Sequence, residues 1–447
     1  MKRLILINVL ITFMLYPVYG DEIFLTVYNE DMAIVKIGKE MDFKKGIQEI
    51  MFTGVADRID PTSVRFSAFN GDVRIIEQNY RYDLVNSQKV LQRYIDREVT
   101  LLVKNGEVIE GILQSVTGDV VIKNRNNRLN IVKTDAIERY DLPDLPDGLI
   151  TKPTLFWKLY SAKEDKTDTE ITYITGGFSW HAEYTAVISD DEKTMEISSW
   201  VSVDNNSGAT YEDAALKLVA GDIHRVTPET PIYKRQMISA TAGEEEVPGG
   251  FEERELFEYH LYDLQRRTTV YNAEIKQISL FDPKSIHTQK RFVFDSRKDP
   301  LKVSVSMEFI NSDKDGLGMP LPKGKVRVFK RDTDGSIEFI GEDSIDHTPK
   351  NEKVRLTLGK AFDLAAERRV LDTQRISPLV REQTIEISLR NRKTEPVSIT
   401  AVEHLWGDWE ILKTSHEYEK KDAYTAEFTV NVLEDSETKI LYTVRFR

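Results

Sequence analysis

The chain has 447 residues, 40% of them hydrophobic and 30% charged, which is ordinary usage for folded domains and excludes a disordered or collagen-like chain. At roughly 150 residues per domain, it has room for about three cores. Its 61 Lys+Arg against 74 Asp+Glu give a net charge of −13, which argues against a nonspecific grip on nucleic-acid phosphates. With no cysteine, disulfides, iron–sulfur clusters, Cys-ligated zinc, thiol catalysis and a lipid anchor on an N-terminal Cys are excluded.

Residues 1–20 read as a secretory signal peptide. Lys2 and Arg3 supply the basic end, Leu4 to Tyr16 an apolar stretch, and Pro17 to Gly20 a turn with small side chains at Val18 and Gly20. The apolar run is shorter than the ~20 residues needed to span a bilayer. Removing Lys2 and Arg3 takes the basic residues from 61 to 59 against 74 acidic ones, a net −15. No later stretch is apolar enough to cross a membrane as a helix. The expected location is therefore periplasmic or extracellular.

After that leader the chain reads as strands, with apolar residues recurring at alternate positions. Phe66, Ala68, Asn70-Gly71, Val73 and Ile75 predict a hairpin on a type I′ turn. Trp180, Ala182, Tyr184, Ala186 and Ile188 predict one inward face. Met195, Ile197, Ser199, Val201 and Val203 predict a second strand after a polar turn. Towards the C-terminus the same alternation runs through Ile385, Ile387 and Leu389, then Val397, Ile399 and Ala401. It continues through Phe428, Val430 and Val432, and through Ile440, Tyr442 and Val444. Asn86 to Asp96 instead has helical spacing, with Asn86 or Ser87 as N-cap. Ala361 to Leu371 has helical propensity among strand-like neighbours and is assigned to strand.

The expected fold class is mainly β: antiparallel β-sandwich modules with an inserted small barrel of the SH3 or Sm type. The expected division is a signal peptide at 1–20, an N-terminal β module at 21–96 and the inserted barrel at 97–143. A central β-sandwich at 150–235, a flexible acidic loop at 236–256 and a C-terminal β-sandwich region at 257–447 follow. The Pro-Asp run Leu142 to Gly148 reads as a stiff linker. Between Arg97 and Asp141 seven Lys/Arg meet seven Asp/Glu, so the small module lacks the positive charge of an RNA-binding barrel.

The stretches ITGGFSWHAEYTAVI from Ile174 and SSWVSVDNNSGATYEDAALKLVAGDIHRV from Ser198 to Val226 resemble the bacterial domain-of-unknown-function family numbered 4139, related to mucoidy-inhibitor-like proteins. Supporting stretches are DPTSVRF at Asp60, KPTLFW at Lys152, EYHLYDL at Glu258, KQISLF at Lys276 and LRNRKTEPVSI at Leu389. The resemblance runs from about Val27 to the C-terminus. It implies exported, mostly β proteins with no established activity, and supplies no catalytic residues. The same motifs also have a purely structural reading, with Asn and Gly shaping a turn and Tyr211 and Leu216 filling the space between sheets.

Candidate chemistry is sparse. The seven histidines never pair at i, i+2 or i, i+4, so no metal site is assigned, and His181 is expected to be a solvated strand residue. DKDG at Asp313 and DTDG at Asp332 read as hairpin turns rather than calcium loops. No nucleophile elbow, S-x-x-K set or phosphate cradle is present, so no catalytic residue and no cofactor are assigned. Trp406, Asp408, Trp409 and Glu410 form the one suggestive patch: indole faces stack on sugars, and carboxylates accept hydroxyl protons. A bulge at Gly407 turning both tryptophans inward is the structural reading of the same residues.

The leading expectation is a non-catalytic exported protein that binds or scaffolds in the cell envelope, its partner an envelope protein or glycan and not nucleic acid. The alternative is a carbohydrate-binding or carbohydrate-active protein using the Trp/carboxylate patch. N-terminal sequencing of protein recovered from the exported fraction should begin at Asp21. Recovery of intact Met1 in the cytosol would contradict the leader assignment.

Overall fold

The computed structural model describes residues 22–69, 72–144, 146, 149–221, 223, 250–332 and 334–447. The expected leader, the Asn70-Gly71 turn, part of the Leu142–Gly148 linker and residues 236–249 of the acidic loop lie outside the described residues. The chain is mainly β; the described residues form five sheets whose ladders are antiparallel except for three parallel pairings. No helix among the described residues is long and apolar enough to cross a membrane.

The first body has two layers. One is a seven-stranded sheet in the spatial order Phe251–Leu256, Tyr259–Val270, Tyr211–Ala220, Glu22–Tyr28, Ala33–Phe43, Asp165–Thr175 and Arg65–Ala68. Facing it are a three-stranded sheet (Gly46–Thr53, Thr154–Ser161, Val73–Arg81) and a five-stranded sheet. The latter runs Glu274–His287, Thr194–Asn205, Phe178–Ile188, Gly324–Arg331 and Ile337–Ile345. Aromatic rings cross the gap between layers: Phe66 to Trp157 at 5.3 Å, Phe178 to Tyr211 at 5.6 Å and Trp180 to Tyr262 at 6.0 Å. The polar ends of the last pair are satisfied, Trp180 Nε1 donating to Val219 O and Tyr262 Oη to Pro320 O, as burial requires.

The second body is a nine-stranded sheet that turns back on itself. Its order is Trp409–Thr414, Ser436–Phe446, Arg381–Asn391, Lys353–Arg375, Lys302–Ile310, Gln289–Asp295, Val397–His404, Thr425–Val432 and Glu419–Lys420. Phe428 and Tyr442 lie near opposite ends of that order, yet their rings are 5.2 Å apart. The two halves therefore form a sandwich around Ile385, Ile387, Leu389, Ile399 and Ile440, all fully buried. The alternation read from the sequence in this region is the alternation observed.

Three expectations need correction. Phe66 and Val73 do not belong to one hairpin: Arg65–Ala68 pairs with Asp165–Thr175, whereas Val73–Arg81 pairs with Thr154–Ser161 in the opposite layer. An Asn-Gly signal marks a chain reversal but not the strand each arm will find, and here both partners are distant in sequence. Residues 251–256, expected as the end of a flexible loop, form an edge strand on Tyr259–Val270. The expected sequence modules also do not match the cores. One apolar cluster joins Leu25, Trp157, Val201, Tyr262 and Val328, drawn from the N-terminal, central and C-terminal stretches alike.

The inserted module is a five-stranded antiparallel sheet, Ile137–Asp141, Glu98–Val103, Val108–Ser115, Val120–Lys123 and Leu129–Val132, with its own core. No ladder joins its two edge strands among the described residues, so closure into a barrel is not seen. The predicted helix is Ser87–Arg93, and Asn86 is the cap, its side chain accepting from Lys89 N. Tyr94, just past the helix, is buried in this module's core and its hydroxyl bonds the backbone of Asp144. The helix thus belongs with the insert. Ala361 to Leu371 lies within the long strand Lys353–Arg375.

The strand ends share one device. Asn205, Asn311 and Asn391 are each fully buried. The Asn205 amide donates to Ala209 O and Tyr271 O at 2.9 Å each, with Val270 O at 3.3 Å. Asn311 reaches Met319 O at 2.7 Å, Pro349 O at 2.9 Å and Thr348 O at 3.5 Å. Asn391 reaches Glu395 O at 2.8 Å, Leu433 O at 3.0 Å and Val432 O at 3.2 Å. In each case the side-chain oxygen accepts from a backbone N–H of the following turn, Ser207, Gly318 or Lys393. Replacing any one by Ala removes the donor shared by three carbonyls at these partly buried corners and leaves a cavity beside them, and should lower the urea midpoint followed by circular dichroism. Asn391→Asp should be worse at neutral pH. Its carboxylate would face carbonyl oxygens, raising its pKa in the fold, so the loss should shrink as pH falls through that raised value. A pH-independent loss would contradict this geometry.

Candidate functional site

The Trp/carboxylate patch lies where strand Val397–His404 ends and the chain turns into Trp409–Thr414. Leu405 is buried, and Gly407 adopts φ +72°, a left-handed turn that costs glycine little. The turn does not bring both indoles inward. Trp409 is 6% exposed, its Nε1 donating to Ala423 O at 2.7 Å and the Lys420 ammonium lying 4.3 Å from its ring centroid. Trp406 is 65% exposed. The structural reading therefore holds for Trp409 alone.

Trp406 is nevertheless held in place. The Arg297 guanidinium lies 4.5 Å from its ring centroid, and the half-exposed Tyr424 ring is 6.2 Å away. Arg297 donates through Nη2 to His404 O at 3.2 Å and through its backbone N to Asp295 Oδ1 at 3.1 Å. The other Asp295 oxygen is 3.2 Å from His404 Nε2. An aromatic pair with a cation on one face is thus pinned to two strand ends of the sandwich.

The two carboxylates predicted for the site do not converge. Glu410 pairs with Arg447 at 2.7 Å, and Asp408 is exposed in the turn, its carbonyl accepting from Arg447 N. Glycosidic general acids are carboxyls lodged in apolar surroundings, whereas both of these face solvent. The arrangement provides an exposed indole face with the Tyr424 ring inclined to it and polar neighbours beside it.

The carboxylate that sequence reading missed is Glu403, 1% exposed on the inward face of Val397–His404. Arg368 Nε is 3.0 Å from both of its oxygens, and the Tyr442 hydroxyl donates to it. Burial raises the Tyr442 pKa, and the neighbouring Glu403 charge raises it further. Burial alone would lower that of Arg368, but Glu403 and Tyr442 outweigh it. Glu308, 6% exposed, is similarly flanked by Arg355 at 2.6 Å, Arg291 at 3.4 Å and Lys353 at 3.7 Å. A signal for the first was present: Glu403 follows Val397, Ile399 and Ala401 in the inward phase, and Arg368 follows Leu364 and Ala366.

The remaining candidates fold as structure. His181 is half exposed and 3.2 Å from Glu183. Asp313–Asp315 is a 3-10 turn closed by Gly316, with Lys350 paired to Asp313. Asp332 and Gly335 close a turn between adjacent strands, Thr333 lying outside the described residues. No group of three or more metal-ligating side chains occurs among the described residues. His224 lies outside them. The Gly-rich and Asn-rich motifs dock on each other: Asn206 N donates to Gly177 O at 2.7 Å, and a Cβ on Gly177, at φ +83°, would stand 2.5 Å from Asn206 O.

No protein-family model matches the chain, and no curated protein matches it. The two tryptophans should separate cleanly in solution. Trp409→Ala should cost about 3–5 kcal/mol of stability, and Trp406→Ala within about 0.5 kcal/mol, both read from urea unfolding. Equal losses would contradict the assignment of one ring to the core and the other to the surface.

Proposed function

We propose that the chain is a non-catalytic exported protein of the cell envelope that works by binding, in line with the resemblance of its central motifs to the family numbered 4139. The observation that carries this reading is the solvent-facing Trp406–Tyr424 pair held by Arg297. An exposed indole fixed by a cation and two strand ends loses little freedom when a partner stacks on it, which favours binding. The buried carboxylates Glu403 and Glu308 are engaged by cations on their own body and serve packing.

The same ring pair favours a glycan as the partner, since apolar sugar faces stack on indoles while the flanking Arg297 and Asp408 meet hydroxyls. This narrows the sequence-derived patch to its exposed half and replaces Trp409 by Tyr424. Purified protein should bind isolated envelope polysaccharide in a pull-down or by calorimetry. Trp406→Ala should weaken that binding at least tenfold with unchanged unfolding, and no shortened polysaccharide should accumulate. Polymer turnover, lost on replacing one carboxylate, would overturn the non-catalytic reading. Wild-type affinity in Trp406→Ala would remove the platform from it.

A further inference from the structure

The two bodies meet beside a second site unrelated to the aromatic platform. Thr357 N, on the long strand Lys353–Arg375, donates to Asp343 Oδ2 of strand Ile337–Ile345 at 2.7 Å. Across the junction Thr288 N donates to Lys193 O at 2.9 Å, and its hydroxyl to Glu308 O at 3.1 Å. Residues adjoining these bonds, among them Glu192, Met307 and Leu358, line a cavity of about 210 Å3. Ile188 lines it from the first body, and Phe292, Met307 and Ala361 from the second, each less than a tenth exposed. Phe362 also lines it yet is 95% exposed, a large ring left to solvent beside an apolar recess.

Charge in this recess has one sign in excess. Lys290, Lys330 and Lys393 line it with a single carboxylate, Glu192. Glu192 sits in the turn after Phe178–Ile188 at φ +58°, a left-handed conformation rare outside glycine and asparagine. It pairs with Lys330 at 2.5 Å and with Lys290. Burial pushes its pKa up, but the two lysines outweigh this and lower it, so it stays ionised. Lys393 has no carboxylate partner among the described residues. Its ammonium stands 5.8 Å from the Phe292 ring centroid, and its backbone N–H is held by the buried Asn391 at 2.9 Å. Three cations against one anion, on a chain of net charge −13, form a local reversal of the protein's own field.

We propose that this cavity binds a small amphipathic monoanion, its apolar body against Phe292, Met307 and Ala361 and its anionic head at Lys393 and Lys290. The size sets the ligand class. The volume exceeds the ~150 Å3 of an apolar cavity that holds benzene and falls below the ~300 Å3 at which drug-sized pockets begin. A short-chain fatty or aryl carboxylate fits these limits, and its head supplies the counter-charge that Lys393 lacks.

Calorimetry on the purified protein with octanoate, octanol and acetate tests this. Octanoate should bind saturably at one site, with octanol and acetate each at least tenfold weaker, because one lacks the charge and the other the apolar body. Lys393→Glu should weaken octanoate at least tenfold at an unchanged urea midpoint. Lys393→Met, which keeps the stem and removes the charge, is the second variant should the first perturb folding. Absence of saturable octanoate binding, octanol binding as tightly as octanoate, or wild-type affinity in a folded Lys393 variant would overturn the proposal.

Discussion

The structure depends on satisfying backbone carbonyls where strands stop inside the protein. A sheet pairs its own polar groups, but the turn that follows a buried strand end has no ladder, and a carbonyl left unpaired there costs about 1–3 kcal/mol. With no cysteine to staple such corners, one side chain is used three times. Asn205, Asn311 and Asn391 each place an amide between the turn they begin and a neighbouring segment, and each accepts from that turn in return. The Asn205 corner docks against the Gly177 turn and so aligns the hairpin Phe178–Ile188 and Thr194–Asn205 with the facing sheet. The Asn391 corner holds the backbone of Lys393, a cation of the cavity with no carboxylate partner among the described residues.

Buried ions act on the second body in a related way. The Glu403 carboxylate, the Arg368 guanidinium and the Tyr442 hydroxyl come from strands on both halves of the sandwich. Desolvating such a group is costly, and an apolar trio of the same shape would often be equally stable. What the polar trio adds is uniqueness: a shift of register in any of the three strands would bury an unpaired charge. The nine-stranded sheet thereby closes in one registration around Ile387, Ile399 and Ile440.

Strand identity was largely legible because a strand with one buried face must alternate, and Trp180 to Ile188 or Ile440 to Val444 do so without interruption. Strand partnership was not. Phe66 and Val73 look like two arms of a hairpin, yet each found a better apolar surface across the sandwich, which local signals do not encode. The helix cap at Asn86 was legible as one of two adjacent candidates, since either side chain reaches a free N–H. At the aromatic patch, composition singled out Trp406, Asp408, Trp409 and Glu410 but could not tell which indole faces water; Gly407 turns the chain between them. Glu403 and Arg368 went unread because alternation was followed through apolar residues only, though both keep the inward phase. Only the first asparagine corner was visible, as the NNSG turn, and the reach of these amides to carbonyls some 65 or 41 residues away exists only in the fold.

Binding, in this account, uses two features that packing leaves to solvent: an indole pinned beside a tyrosine, and a cationic recess between two sandwiches. The recess is positioned by the Asn391 corner through Lys393, the platform by Arg297 and the strand ends at Asp295 and His404, and the corners carry the central claim about the fold. The most direct measurement is hydrogen exchange of the backbone amides of Ser207, Gly318 and Lys393, which lie in turns yet donate to buried asparagine oxygens. The account predicts protection comparable to that of the adjoining strand interiors. Exchange at the rate of ordinary surface turns would contradict it.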